Sequence, residues 1–307
     1  MSAVATLTRL ARCLFVAPAP ARGQVSPDLL RLSRLLRLPP SILLGFRPPG
    51  RPEARYHYCP FSRAKRDGGR RRIYAPSPDL KALQRTLLRR YLDRLPVHPA
   101  VTGFRPGFSV ADHARAHLGQ AVVVTADVED FFDRTPAHRV RAFFRAQGWD
   151  AVAAAVLTGL CTFRGALPQG APTSPALSNL VNVPLDEALS ALARRSGGLY
   201  TRYGDDLAFS WPTGAVPSDL EANVRAELLA LGYCLNPVKG WRVWRVDEGD
   251  VPCVTGVRLG HDGCLHPDPA LEREMARLRR RTRFRDDQAA AARLRGYEGF
   301  VGMLAEK

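Results

Sequence analysis

The chain has 307 residues, enough to bury a full core and to form two or three subdomains. No apolar stretch approaches the roughly 20 residues that span a bilayer, which excludes a helical membrane protein. The net charge of +16 is uneven: residues 1–100 carry 20 basic and 5 acidic side chains, residues 101–267 carry 15 and 17, and residues 268–307 carry 10 and 7.

The first 27 residues contain several Arg and no acid, but their apolar core, Cys13 to Ala17, is too short for a secretory signal, so a frayed extension is expected. Ser26-Pro27-Asp28 caps a short helix to Arg37, which Pro39-Pro40 stops. After a Pro/Gly/Arg-rich loop (46–54), Arg55–Cys59 and Arg71–Ala75 pair as a hairpin across Asp67-Gly68-Gly69. A helix from Asp79 to about Leu95 places Leu80, Leu83, Leu87 and Leu88 on one face. Next come a helix at 109–117, a strand Ala121–Val124 ending in Asp127, helices near 137–147 and 150–160, a Gly/Pro loop (164–175) and a long helix, 176–195. Two short apolar runs then flank Tyr203-Gly204-Asp205-Asp206, a hairpin signal. A capping box, Ser218 to Glu221, opens a helix that Gly232 closes; strands at 233–236, 241–246 and 252–259 precede basic helices at 268–284 and 287–304. The β-α-β-β-α-β order of the centre predicts an α+β fold with a ferredoxin-like sheet.

The chemistry lies in the acids. Asp205 and Asp206 stand at a hairpin tip, and Asp127 leaves a buried strand 78 residues upstream. Carboxylates brought to one sheet edge can hold two Mg²⁺ ions about 3.5–4 Å apart for phosphoryl transfer. An acid-bearing centre flanked by basic segments suits a polyanion gripped by its backbone. The six cysteines (13, 59, 161, 234, 253, 264) form no Cys-x-x-Cys pair and have no matching His spacing, which argues against zinc and disulfides and for a reduced, cytoplasmic setting.

Several segments in order resemble a reverse transcriptase of the retron-type bacterial branch, over about residues 55–260. Thr125-Ala126-Asp127-Val128-Glu129-Asp130-Phe131-Phe132-Asp133 resembles the first catalytic motif. The resemblance implies that Asp127 bridges both metals, that the Val128 carbonyl ligates one, and that Phe132 excludes a ribose 2′-hydroxyl while Phe131 is core. Leu167 to Pro175 resembles the Pro-Gln-Gly motif, with Gln169 supporting the nucleotide. Tyr203-Gly204-Asp205-Asp206 resembles the metal-binding tip, where Gly204 replaces the more usual Ala and is expected to loosen the turn; Asp205 is the essential ligand and Asp206 a supporting one. Lys65 to Ile73 resembles the fingers hairpin, in which Lys65 and Arg71 or Arg72 clamp the triphosphate. Gly232 to Lys239 resembles a later palm motif, with Lys239 a proton donor near pyrophosphate.

Val254-Thr255-Gly256 matches a retron signature. His113-Ala114-Arg115-Ala116-His117 resembles the Asn-Ala-x-x-His element with His113 in place of Asn, and by it His117 is expected to serve RNA recognition. The Arg-rich run from Arg277 through Arg280 and Arg281 to Arg285 fits a thumb that reads an RNA hairpin by shape and phosphate. The resemblance thus implies a right-hand polymerase with an N-terminal extension and fingers (1–110), a palm (111–258) and a basic helical thumb (259–307). It also implies dNTP substrates, a dedicated non-coding RNA as template and primer, an RNA–DNA duplex product, and antiphage defence beside an effector protein. The length leaves no space for appended maturase or endonuclease domains. The competing readings are a group II intron-like or diversity-generating reverse transcriptase, and an RNA-binding scaffold with an idle site.

Overall fold

The computed structural model describes residues 25–47, 58–64, 69–214, 216–284 and 287–305. It divides into two compact units: the first takes the chain up to Val97 plus Asp130–Val183, the second His98–Glu129 plus everything from Pro184 onward.

In the first unit, α1 (Pro27–Leu36) starts where the Ser26 hydroxyl accepts from the Leu29 N–H at 3.1 Å, and Arg37 ends it in the left-handed region at φ 56°. A short α2 (Pro40–Leu44) follows. β1 (Tyr58–Ala64) and β2 (Arg70–Pro76) pair antiparallel from Tyr58↔Pro76 to Ala64↔Arg70, so the first strand runs later than the expected Arg55–Cys59, whose residues 55–57 lie, like Asp67 and Gly68 of the expected turn, outside the described residues. Residues 61–64 and 70–72 are exposed, so backbone pairing rather than burial carries that end of the ladder. The helix expected over 79–95 is α3 (Pro78–Arg90) followed by a 3₁₀ turn, Leu92–Arg94. α5 (Ala137–Ala146), α6 (Ala151–Cys161) and α7 (Ser174–Val181) complete the unit. Its core joins Leu29, Leu32, Leu83, Leu87, Phe144, Trp149, Leu160 and Leu177. α6 is apolar nearly all round because it lies inside that core.

The second unit holds α4 (Val110–Arg115), β3 (Val122–Asp127), α8 (Val183–Arg195, its first residue shared with the boundary), β4 (Leu199–Tyr203), β5 (Asp206–Trp211), α9 (Leu220–Ala230) and β6 (Trp241–Arg245). The four strands form one sheet in the order β4-β5-β3-β6, every neighbouring pair antiparallel. β3 is central and covered on both faces, which is why it reads as an unbroken Val run. Alternation puts Val123, Thr125 and Asp127 on one face; there Val123 and Ala208 pack in a cluster with Ala111, Ala114, Val257, Leu265 and Leu304. That cluster includes a second, three-stranded sheet of β7 (Cys253–Val254), β8 (Val257–Leu259) and β9 (Leu265–Pro267), and α11 (Gln288–Ala305), which follows α10 (Pro269–Phe284).

Four expectations are corrected. The helix 176–195 is two helices with a break at Asn182, since Pro184 has no N–H to continue the ladder. The strand at 233–236 is reduced to one bridge, Val128↔Leu235. The strand 252–259 folds back on itself at Thr255-Gly256. The Ser218 capping box does not form: α9 begins after Asp219 without a side-chain cap. Among the described residues, no helix is long and apolar enough to cross a membrane, and Cys59, Cys161, Cys234, Cys253 and Cys264 form no disulfide.

Candidate active site

The hairpin of β4 and β5 turns over two residues, Gly204 and Asp205, between the paired Tyr203 and Asp206. Gly204 adopts φ 65°, the first central position of a type II′ turn, where glycine is the favoured residue. Glycine here therefore fits the turn rather than loosening it. The exposed Phe104 ring packs against it, and a Cβ on Gly204 would lie 2.9 Å from Phe104 Cε2.

The register of β3 against β5 sets Asp127 directly opposite Asp206. One residue on, the Val128 N–H donates to the Asp205 carbonyl at 2.9 Å. The exit of β3 is tied on its other side as well: the Asp127 carbonyl accepts from Asn236 N at 2.8 Å, and the Glu129 N–H donates to the Cys234 carbonyl at 2.9 Å. Asp127, Val128, Asp205 and Asp206 thus meet at one sheet end, although the two segments lie far apart in the chain.

Burial pushes the Asp206 carboxyl up to about 7, and the nearby Asp205 and Asp127 charges add to that rise. Lys239 opposes it and so stands close to the acid cluster, as does the Thr255 hydroxyl, which is buried but falls short of good hydrogen-bond geometry. Thr255 and Gly256 form the two-residue turn between β7 and β8 with φ 50° and 78°. A β-branched residue at positive φ is strained, and the unusual choice sets a hydroxyl beside Asp206.

Among the described residues, no three His, Cys, Asp or Glu side chains stand as a closed ion cage. An incomplete acidic set is what Mg²⁺ chemistry uses, since this ion takes one or two carboxylates and completes its shell with water and substrate phosphates. Asp206 is paired in register with Asp127 and adjoins Asp205, so the ionised carboxylates gather at one sheet end where a cation would offset their repulsion, and the residues fit a divalent cation.

The remaining predicted residues fall in the first unit or on the C-terminal helices, apart from His117, which follows α4 in the second unit. Arg71 and Arg72 are exposed on β2, and Arg72 is close enough to Asp133 to favour its ionised form, against burial and Asp130, which raise it. Lys65 lies outside the described residues. Phe131 is the core aromatic of its pair at 2% exposure, with the half-buried Phe132 ring 5.8 Å away. The Gln169 carbonyl accepts from Tyr74 N at 2.7 Å, lashing the Pro-Gln-Gly loop to β2. Gly170 makes that approach feasible: its φ is 115°, and a Cβ would meet Ile73 Cγ2 and the Tyr74 carbonyl oxygen, each at 2.8 Å. Gly170→Ala should therefore cost roughly 2–3 kcal/mol, read as a lower denaturant midpoint with an unchanged slope.

On α10, Arg277 pairs with Glu274 at 2.9 Å and Arg281 with Asp287 at 2.6 Å, and Arg280 is exposed. The expectation that His117 serves RNA recognition is corrected. Its ring is wholly buried, with Nδ1 2.7 Å from Ser210 Oγ and Nε2 2.6 Å from Thr201 Oγ1. Burial lowers both His117 and His113 to about 3, so both rings are neutral behind the strands of the hairpin. His113 Nδ1 meets Thr102 and Thr201 Oγ1, each at 2.9 Å. Sequence reasoning also missed Arg202, which is fully buried on β4 and paired with Asp186. A lone cation in an apolar strand was the available signal; its partner on α8 was not.

The fold and the acid cluster define a class. The chain matches the reverse transcriptase (RNA-dependent DNA polymerase) family over residues 64–244, and it belongs to that family. Among curated relatives, it is 38% identical over 249 residues to the retron Mx162 reverse transcriptase of Myxococcus xanthus, covering 72% of this chain and 51% of the relative. It is 37% identical over 271 residues to the retron Mx65 reverse transcriptase of the same organism, covering 81% and 61%. The retron Ec86 reverse transcriptase of Escherichia coli is 41% identical over 140 residues, 46% of this chain and 44% of that one. The chain spans about half of these relatives' lengths.

Proposed function

We propose that the protein is an RNA-directed DNA polymerase of the retron type, copying a dedicated non-coding RNA into DNA. The observation that carries this reading is the register pairing of Asp127 with Asp206, with Asp205 adjoining. A primer hydroxyl attacks the α-phosphate of a dNTP, the new ester bond forms, and pyrophosphate leaves. Asp127, Asp205, Asp206 and the Val128 carbonyl would hold two Mg²⁺ ions, which when bound supply charge stabilisation for the attacking and leaving oxygens. Lys239, which lies near Asp206, would protonate the departing pyrophosphate. Lys65 with Arg71 or Arg72 neutralises the triphosphate, and Gln169 supports the nucleotide.

In this reading the β4-β5-β3-β6 sheet is a ferredoxin-like palm within residues 111–258, residues 1–110 form the extension and fingers, and residues 259–307 the thumb. These divisions follow the chain, whereas the compact units interleave, with Asp130–Val183 packing among the N-terminal elements. Arg277, Arg280 and Arg281 on the thumb grip RNA and the RNA–DNA duplex through phosphates. A cytoplasmic role in antiphage defence beside an effector protein is part of the same proposal and rests on the retron-type motifs of the sequence, Val254-Thr255-Gly256 among them.

Sequencing the nucleic acid that co-purifies with the protein tests the reading. A branched RNA–DNA product is expected; intron or repeat RNA would point instead to the group II intron-like or diversity-generating lineages. Phe132→Ala should admit ribonucleotides, because removing the ring opens space for a 2′-hydroxyl. Alkali-labile extension products would reveal this, and their absence would move the gate elsewhere.

A further inference from the structure

Arg202 precedes the catalytic turn by two residues and has no solvent exposure, nor has the Asp186 side chain facing it from α8. The pair is bidentate: Nε reaches Asp186 Oδ1 at 2.7 Å and one terminal nitrogen reaches Oδ2 at 2.8 Å. Tyr200 donates its hydroxyl to the same carboxylate at 3.0 Å. The other terminal nitrogen of Arg202 donates to the Gly204 carbonyl at 3.1 Å.

That carbonyl belongs to the central peptide of the two-residue turn. Type I′ and type II′ turns differ by a flip of this peptide, which would carry Asp205 to positive φ, a conformation that Asp tolerates better than most residues. The backbone of Arg202 is itself anchored. Its carbonyl accepts from Thr102 N at 3.0 Å, Gly103 N at 3.3 Å and Thr102 Oγ1 at 3.2 Å, and its N–H donates to the Ala100 carbonyl at 2.9 Å. A Cβ on Gly103 would lie 2.7 Å from Tyr203 Cα, so the 100–103 segment presses directly on the turn. For stability alone, apolar side chains could replace a buried ion pair at little cost. They could not donate to a carbonyl.

We propose that Arg202 is a positioning residue for the catalytic turn: held by Asp186, it fixes the Gly204–Asp205 peptide and so the placement of Asp205 and Asp206 opposite Asp127. The consequence for catalysis rests on the polymerase reading; the ordering of the turn does not.

The test compares wild type with Asp186→Leu/Tyr200→Phe/Arg202→Met, which removes the whole polar group, and with Arg202→Lys, which keeps a cation beside Asp186 but cannot both fork onto it and reach Gly204. Hydrogen exchange across residues 199–207 reads the turn. Mn²⁺ titration followed by electron paramagnetic resonance reads the acids, and single-turnover extension at saturating duplex reads the chemistry. Both variants should unfold cooperatively, with faster exchange confined to 203–206. Mn²⁺ should bind about tenfold more weakly, and extension should slow about 30-fold or more with duplex affinity unchanged. Unaltered exchange at 203–206 in a folded variant, or Mn²⁺ binding and extension within about twofold of wild type, would overturn the proposal. Should the triple variant fail to fold, Arg202→Lys alone decides by the same readings. Altered exchange in a protein whose wild type never extends a primer would refute the polymerase reading and leave the positioning role standing.

Discussion

Asp205→Asn is expected to abolish primer extension on an RNA template, by on the order of a thousandfold, while RNA binding persists. The asparagine keeps the size of the side chain and its place in the two-residue turn, so the backbone pairing of Val128 N–H with the residue 205 carbonyl survives. What disappears is one negative charge in the β4–β5 turn, beside the exit of β3. Gel-based extension with Mg²⁺, beside a filter-binding assay of the same preparation, separates the two effects. Equal extension by the variant would place the chemistry elsewhere and favour an idle scaffold. A parallel fall in RNA affinity would mean that the turn also shapes the RNA surface.

A comparably large effect is expected from pH, and its sign follows from Asp206. The carboxyl is held near 7, well above its ordinary 3.8, by burial and by Asp205 and Asp127. Below pH 7 the ion-free protein carries a proton there, and a divalent cation must displace it. Apparent ion affinity should therefore fall about tenfold for each pH unit below 7 and level off above it. Stability without the ion runs the opposite way. The folded state binds this proton more tightly than the unfolded chain does, so the contribution is present below about pH 4 and lost as pH rises through 7. Mg²⁺ titrations of extension between pH 5.5 and 8, with melting curves in chelator, would show both trends. Asp206→Asn should flatten both.

Much of this site was legible in the chain because local chemistry dictated it. A Val run ending in Asp127, and a Gly-Asp turn between apolar runs, specify strand exits whatever surrounds them, and both stand where the pattern put them. Ser26 caps its helix through its own side chain, a contact spanning only three residues. What stayed hidden depends on partners distant in sequence. His117 looked like a surface recognition residue because its two hydroxyl partners, Thr201 and Ser210, lie more than 80 residues away. Thr255 read as a strand residue because β propensity favours it; the hairpin bends there nonetheless, with Gly256 supplying the second positive φ. Arg202 was passed over for the same reason, since only the fold brings Asp186 under it. The pause at Asn182 could have been read from Pro184 alone, and the apolar periodicity on either side masked it.

Anomalous diffraction from crystals grown with Mn²⁺, an RNA–DNA duplex and a dNTP would locate the ions that the acids are inferred to hold. Two peaks about 3.5–4 Å apart, bounded by Asp127, the Val128 carbonyl, Asp205 and Asp206, are expected. Peaks remote from these residues, or an acid cluster without manganese beside a well-ordered nucleotide, would contradict the assignment.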